Sequence, residues 1–173
     1  MKITYGNLFD QLDADAICIT TNGTVKSNGN AVMGRGCAAN AKKKWPGIDK
    51  ELGTNILTIG NVPAPIHETQ NYSVLSFPVK PKYVICNADK SNVVAHMKKQ
   101  FKPGNRVPGW AAVANIKIIE SSAKKLVELA DTYGYKKIVL PRPGCGAGEL
   151  NWENVHPVIS LILYERFEVI TIN

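Results

Sequence analysis

Two glycine-rich segments constrain this chain more than any other feature. Each follows a short apolar run of strand type and leads into a stretch of helical pattern. The first run is AICIT, Ala16 to Thr20, and the segment 22–36 after it carries Gly23, Gly29, Gly34 and Gly36. The second run is KIVL, Lys137 to Leu140, and PRPGCGAGEL follows it. Glycine there permits positive φ and a close approach to the main chain. A strand-to-helix loop also turns backbone N–H groups and a positive helix end toward an anion. Strands alternating with helices predict an α/β fold, a three-layer α/β/α domain with a mixed central sheet. Ligands of such sheets bind at the carboxyl ends of the strands. Both loops fall at those ends, so one shared cleft is expected, better suited to a diphosphate than to a single phosphate.

The remaining elements follow from pattern. Ile3 to Tyr5 is a first strand. Cys37 to Trp45 favours helix and stops at Pro46-Gly47. Asn55 to Ile59 and Ser73 to Phe77 read as strands around a proline-bearing turn. Ile119, Ala123, Leu126, Val127, Ala130 and Tyr133 recur at three- and four-residue steps, which predicts a helix over 116–133 ended by Gly134. Val155, Val158, Ile159, Ile162 and Leu163 form the apolar face of a last helix. Asn151 or Asn154 caps it, and Pro157 favours Asn154, since proline then sits in the first turn. Glu168 to Ile172 closes the sheet. Residues 81–112 have no clean period. Between Lys90 and Trp110 this stretch holds Lys90, Lys98, Lys99, Lys102 and Arg106 with no acidic residue. It reads as a basic excursion with a short helix near Val93 to Phe101.

The 173 residues suit a single domain over the whole chain, and an apolar share of 45% excludes long disorder. No apolar run has the roughly 18 residues of a membrane span. The start, MKITYGNLFD, lacks the apolar core of a signal peptide, so a cytoplasmic location is expected. The net charge of +7 favours an anionic partner: phosphate, nucleotide or nucleic acid. Cys18, Cys37, Cys86 and Cys145 show no CxxC spacing, so no metal site is expected. Neither loop matches the Walker pattern, and no GxGxxG opens the chain.

The order of motifs is more specific. GNLF (Gly6 to Phe9), ADAI (Ala14 to Ile17), TNG (Thr21 to Gly23), VMGRGCA (Val32 to Ala38), FPVK (Phe77 to Lys80) and PRPGCGAGELNW (Pro141 to Trp152) occur in that sequence. In this the chain resembles macrodomains, of the branch with terminal ADP-ribose-protein glycohydrolases and the antitoxins of DNA ADP-ribosylating toxins. The resemblance covers nearly the whole chain apart from 81–112. It implies ADP-ribose as ligand or product, with no further cofactor. Adenine is then expected beside Asn7 and Leu8, and the distal ribose near Asn22. The pyrophosphate falls between two walls, one of Met33, Gly34, Arg35, Gly36, Cys37 and Ala38, the other of Gly144, Cys145, Gly146, Ala147 and Gly148. Asn7 stands where many macrodomains have an aspartate; its oxygen can accept from adenine, or it can simply shape a turn. Arg35 covers the phosphates or points to solvent. Trp152 packs the second loop. His67, His96 and His156 lack metal or triad spacing and read as surface or core residues, and Trp110 is a candidate for stacking on a base.

In the glycohydrolase branch a lysine after the middle strand attacks the anomeric carbon, assisted by an aspartate of the second loop. Lys80 occupies the lysine position, and Gly148 the aspartate position, with Glu149 adjacent. The resulting expectation is a monomer that binds ADP-ribose, or ADP-ribosylated protein or nucleic acid. Hydrolysis through Lys80, with Glu149 as helper, is the alternative, and so is an ADP-ribose 1″-phosphate phosphatase. A different class is a nucleic-acid-binding protein that uses the basic excursion and Trp110.

Overall fold

The computed structural model describes residues 1–171, so Ile172 of the expected closing strand lies outside the described residues. The elements in chain order are β1 (Lys2–Tyr5), β2 (Ala16–Asn22), α1 (Gly36–Lys44), α2 (Ile48–Ile59), β3 (Pro65–Glu68), β4 (Ser73–Lys80), β5 (Tyr83–Ile85), β6 (Arg106–Pro108), α3 (Ile116–Tyr133), β7 (Ile138–Pro141), α4 (Trp152–Ser160) and β8 (Phe167–Thr171). Six strands form one sheet in the order β1-β8-β7-β2-β4-β3. Five run parallel, and β3 pairs antiparallel with β4 at one edge.

Side-chain alternation along the strands builds two cores. Ala16, Cys18, Leu75, Phe77, Ile138, Leu140 and Val169 face α3 and α4. Ile17, Ile19, Val74, Val139 and Ile170 face α1 and α2 on the other side. The sheet is thus the middle of three layers, and its strands are near-continuous apolar runs because both faces are covered. Within the long helix, Ile119, Ala123, Leu126 and Ala130 are buried, Asn115 caps the start, and Gly134 ends it in a left-handed conformation. Tyr133 is the exception to the expected face: it is exposed and stacks on Tyr135.

Three expectations need correction. Asn55 to Ile59 is not a strand but the last turns of α2. Ile56 continues the face set by Ile48 and Leu52 while Leu57 and Ile59 are exposed, and packing of that face on the sheet overrides the strand propensity of so short a run. Only Ala95–Met97 of the expected 93–101 helix is helical, as a single 3-10 turn. The last helix begins at Trp152, so Asn151 holds the cap position and Pro157 sits inside the helix rather than in its first turn.

The segment 81–112 has a small core of its own. β5 and β6 pair antiparallel. Cys86, Val93, Val94, Met97, Val107 and Ala111 pack beneath them, apart from both sheet cores. The root of the excursion is docked on the first glycine loop: Gly23 donates to Pro81 O at 3.1 Å and Thr24 Oγ1 to Lys82 O at 3.0 Å.

Candidate functional site

Both glycine loops open on one cavity of about 480 Å³ at the carboxyl ends of the strands. It extends from Ile170 and Thr171 on β8, past β7 and β2, to Val79 and Lys80 on β4. Those are three inter-strand steps, or about 14 Å at the usual spacing. The shape is a long trough, not a round hole.

The first loop is held down by its own side chains and by α2. Asn22 Nδ2 donates to Val32 O at 2.9 Å, and its Oδ1 accepts from Thr24 N–H at 2.9 Å. Ala31 N–H donates to Asp49 O at 2.8 Å, while the buried Asp49 carboxylate pairs with Lys42 at 2.9 Å. No side chain caps α1, whose first turn begins at Gly36 on the cavity wall. Its leading N–H groups are therefore free for an anion.

The second loop turns at Gly144, whose φ is +76°, and Leu150 N–H closes it onto Gly144 O at 3.0 Å. Among the described residues, no hydrogen bond takes up the N–H groups of Gly146, Ala147 or Gly148. The two walls therefore face each other with unused backbone donors. Among the described residues, the cavity lining contains Arg35, Lys80 and Arg142 and no carboxylate, a charge pattern that attracts an anion.

Of the residues expected at the site, Asn22, Gly34, Arg35, Gly36, Cys37, Ala38, Lys80, Gly144, Cys145, Gly146, Ala147 and Gly148 line this cavity. Four do not. Asn7 caps a 3-10 turn, its Oδ1 accepting from Phe9 N–H at 3.1 Å. The Leu8 and Met33 side chains are buried in the core under α1 and α2. Glu149 turns away to the excursion, where both carboxylate oxygens accept from Ala95 N–H at 3.0 Å. Arg35 is exposed on the cavity wall, where its Nη1 lies 2.6 Å from Nε2 and 2.9 Å from Nδ1 of His96. Burial pushes the thiols of Cys37 and Cys145 up, Cys145 to about 11, so neither is a ready nucleophile. Trp152 packs on the main core and stacks under the Arg142 guanidinium, 5.1 Å away.

Lys80 is the unusual group. Pro78 in β4 lacks an N–H, and the pairing with β2 slips there, Thr21 opposing Pro78 and Asn22 opposing Lys80. Such irregularities re-aim the side chains beyond them. Lys80 is only 6% exposed and donates to Ala147 O at 2.8 Å and Trp110 O at 3.4 Å. Burial lowers its pKa to about 8; Glu149 opposes that shift and Arg35 adds to it. Neutral acceptors hold the ammonium without a carboxylate in contact, so loss of the proton is favoured relative to an ordinary lysine.

Sequence reasoning missed several lining residues. Thr20, Thr21, Ile170 and Thr171 belong to the strand ends and were implicit in the topology. Arg142 stands within the second motif itself. His96 and Trp110 come from the excursion and line the same cavity. Trp110 had been singled out by type, but nothing local marks His96.

No family model matches the chain, and no curated protein matches it. Solved structures do. The macrodomain of Mycobacterium tuberculosis DarG superposes with a TM-score of 0.66 at 17% identity, over 97% of this chain and 96% of that one. The macrodomain of Thermus aquaticus DarG gives a TM-score of 0.66 at 21% identity, over 99% and 97%. Thermosipho africanus DarTG in complex with ADP-ribose gives 0.65 at 18% identity, over 97% of this chain and 40% of that chain. The layer order, the mixed sheet and these superpositions agree: the chain has the macrodomain fold.

Proposed function

We propose that this protein binds ADP-ribose, free or attached to a macromolecule, in the trough between the two glycine loops. The observation that carries the reading is a single trough with unused backbone donors on both walls, three cations and no carboxylate. A diphosphate in the middle of a long ligand needs such a site. That a protein of the same fold was solved with ADP-ribose supports the choice of ligand. Calorimetric titration with ADP-ribose tests it: one site per chain is expected, and no heat with correctly folded protein would refute it.

The same site should ignore the exposed charge of the excursion. Lys90, Lys98, Lys99, Lys102 and Arg106 are absent from the cavity lining. Neutralising all five is expected to leave affinity for free ADP-ribose within about tenfold, ~1.4 kcal/mol. Binding to polyanions should weaken in that variant and fall steeply with salt.

A second reading, hydrolysis of an ADP-ribosyl bond, is favoured by Lys80 alone. A buried amine with a pKa of about 8 is roughly one-tenth neutral at pH 7, far above an exposed lysine. Its lone pair can attack the anomeric carbon as the bond to the leaving group breaks, and water then frees the enzyme. With Glu149 engaged elsewhere, no carboxylate among the described residues lines the cavity to assist, and turnover is expected to be slow. A time course on ADP-ribosylated substrates should show release that rises about tenfold between pH 7 and 9. Release should disappear in Lys80→Ala. Turnover unaffected by that change would remove Lys80 from the chemistry. Stability carries the same signature. Below pH 8 Lys80 is charged in both states and its burial cost is complete. The native state sheds the proton first, so this group's contribution to stability rises from pH 8 toward 10.5.

A further inference from the structure

Two neighbouring residues of the excursion, Ala95 and His96, are held by different glycine loops. Glu149 of the second loop accepts from Ala95 N–H with both carboxylate oxygens. Arg35 of the first loop lies against the His96 ring and can donate to whichever ring nitrogen carries no proton. Ala95 and His96 belong to one short 3-10 turn, so that turn links the two walls across the rim of the trough. Glu149 reaches it at a conformational cost: its φ is +60°, a region that side chains other than glycine and asparagine rarely occupy. Strain of this kind persists where the contact it enables matters. Both contacts lie at the surface, and the residues on either side, Val94 and Met97, are buried in the excursion's own apolar cluster, which is separate from both sheet cores. The turn therefore moves with that cluster, and its movement does not unpack the sheet.

We propose that Ala95 and His96 form a strap latched to both glycine loops, and that ADP-ribose enters and leaves by release of this strap. The inference rests on the ligand reading given above. It makes Glu149 a positioning residue, which explains why its side chain faces the excursion and not Lys80.

The backbone offers an unusually clean test. Val94 has φ −60° and ψ 144°, the conformation preferred before proline, and Ala95 is the first residue of its turn. Ala95→Pro thus removes the donor while leaving the chain path intact. Stopped-flow association and dissociation of ADP-ribose, followed by tryptophan fluorescence, read the effect. Ala95→Pro and Glu149→Ala are expected to speed both rates about tenfold, as loss of a charge-assisted hydrogen bond allows. Glu149→Gln, which keeps one acceptor oxygen, should fall between them and the wild type. Unchanged rates in both variants, or faster release without faster association, would overturn the strap. Amide exchange of residues 93–97 in Glu149→Ala gives an independent answer: faster exchange supports the latch, and unchanged exchange refutes it. If the wild type takes up no ADP-ribose, the ligand reading fails, while exchange still decides the strap.

Discussion

Gly34→Trp and Gly146→Trp should each fold normally and bind no measurable ADP-ribose. A Cβ at either position meets nothing within 4 Å, and neither glycine has a positive φ. Replacement therefore strains no backbone at the point where the side chain leaves it. Both nevertheless line the trough, one on each wall. An indole there occupies the space through which a diphosphate reaches the N–H groups. Affinity is expected to fall at least about 100-fold, ~2.7 kcal/mol. The melting temperature should stay within about 3 °C of the wild type. Calorimetry and thermal melting together check the pair. Retained affinity in both variants would place the ligand elsewhere.

Gly148→Asp should fail in the opposite way. It recreates the residue type of the hydrolytic macrodomains, and a gain of turnover is the naive expectation. The structure forbids it. A Cβ at 148 would collide with Gly144 O and lie 2.7 Å from Ala114 Cβ and 2.9 Å from Gly144 C. These neighbours are backbone or methyl groups with no freedom to retreat, and Gly148 O is fixed by Ala114 N–H at 2.9 Å. Overpacking of this kind is expected to cost about 3 kcal/mol, near the upper end of its usual range. For a domain of this size that lowers the melting point by roughly 10 °C. A variant that melts like the wild type and turns over faster would show that the loop can relax. Position 148 is thus a packing position in this chain, and placing a carboxylate there would require rebuilding the loop.

The parts of the molecule that were legible in the sequence are those governed by local rules. Ile119, Ala123, Leu126 and Ala130 repeat at helical spacing ahead of a terminating Gly134, and α3 spans the expected 116–133. The two glycine loops declared themselves because strand, loop and helix follow one another within a few residues. NILTI, residues 55–59, misled because five apolar-rich residues carry no period of their own. The face that Ile56 shares with Ile48 and Leu52 appears only once α2 lies on the sheet. The ribbon of β5 and β6 was illegible for another reason: Tyr83–Ile85 and Arg106–Pro108 are three-residue strands far apart in the chain. His96 belongs to the site only through contact with Arg35, 61 positions away. No local pattern encodes such a meeting.

The excursion's private apolar cluster has an evolutionary reading. Cys86, Val93, Val94, Met97, Val107 and Ala111 owe nothing to the residues that hold the sheet between its helices. The apolar interior of this appendage can therefore change without emptying either sheet core, provided that its docked root and the contacts of Ala95, His96 and Trp110 at the trough are kept. The rim over the trough is thus built on a different core from the two backbone walls beneath it. In the reading proposed above, recognition of whatever is attached to the ligand and recognition of the ligand itself then rest on separately packed parts of the chain.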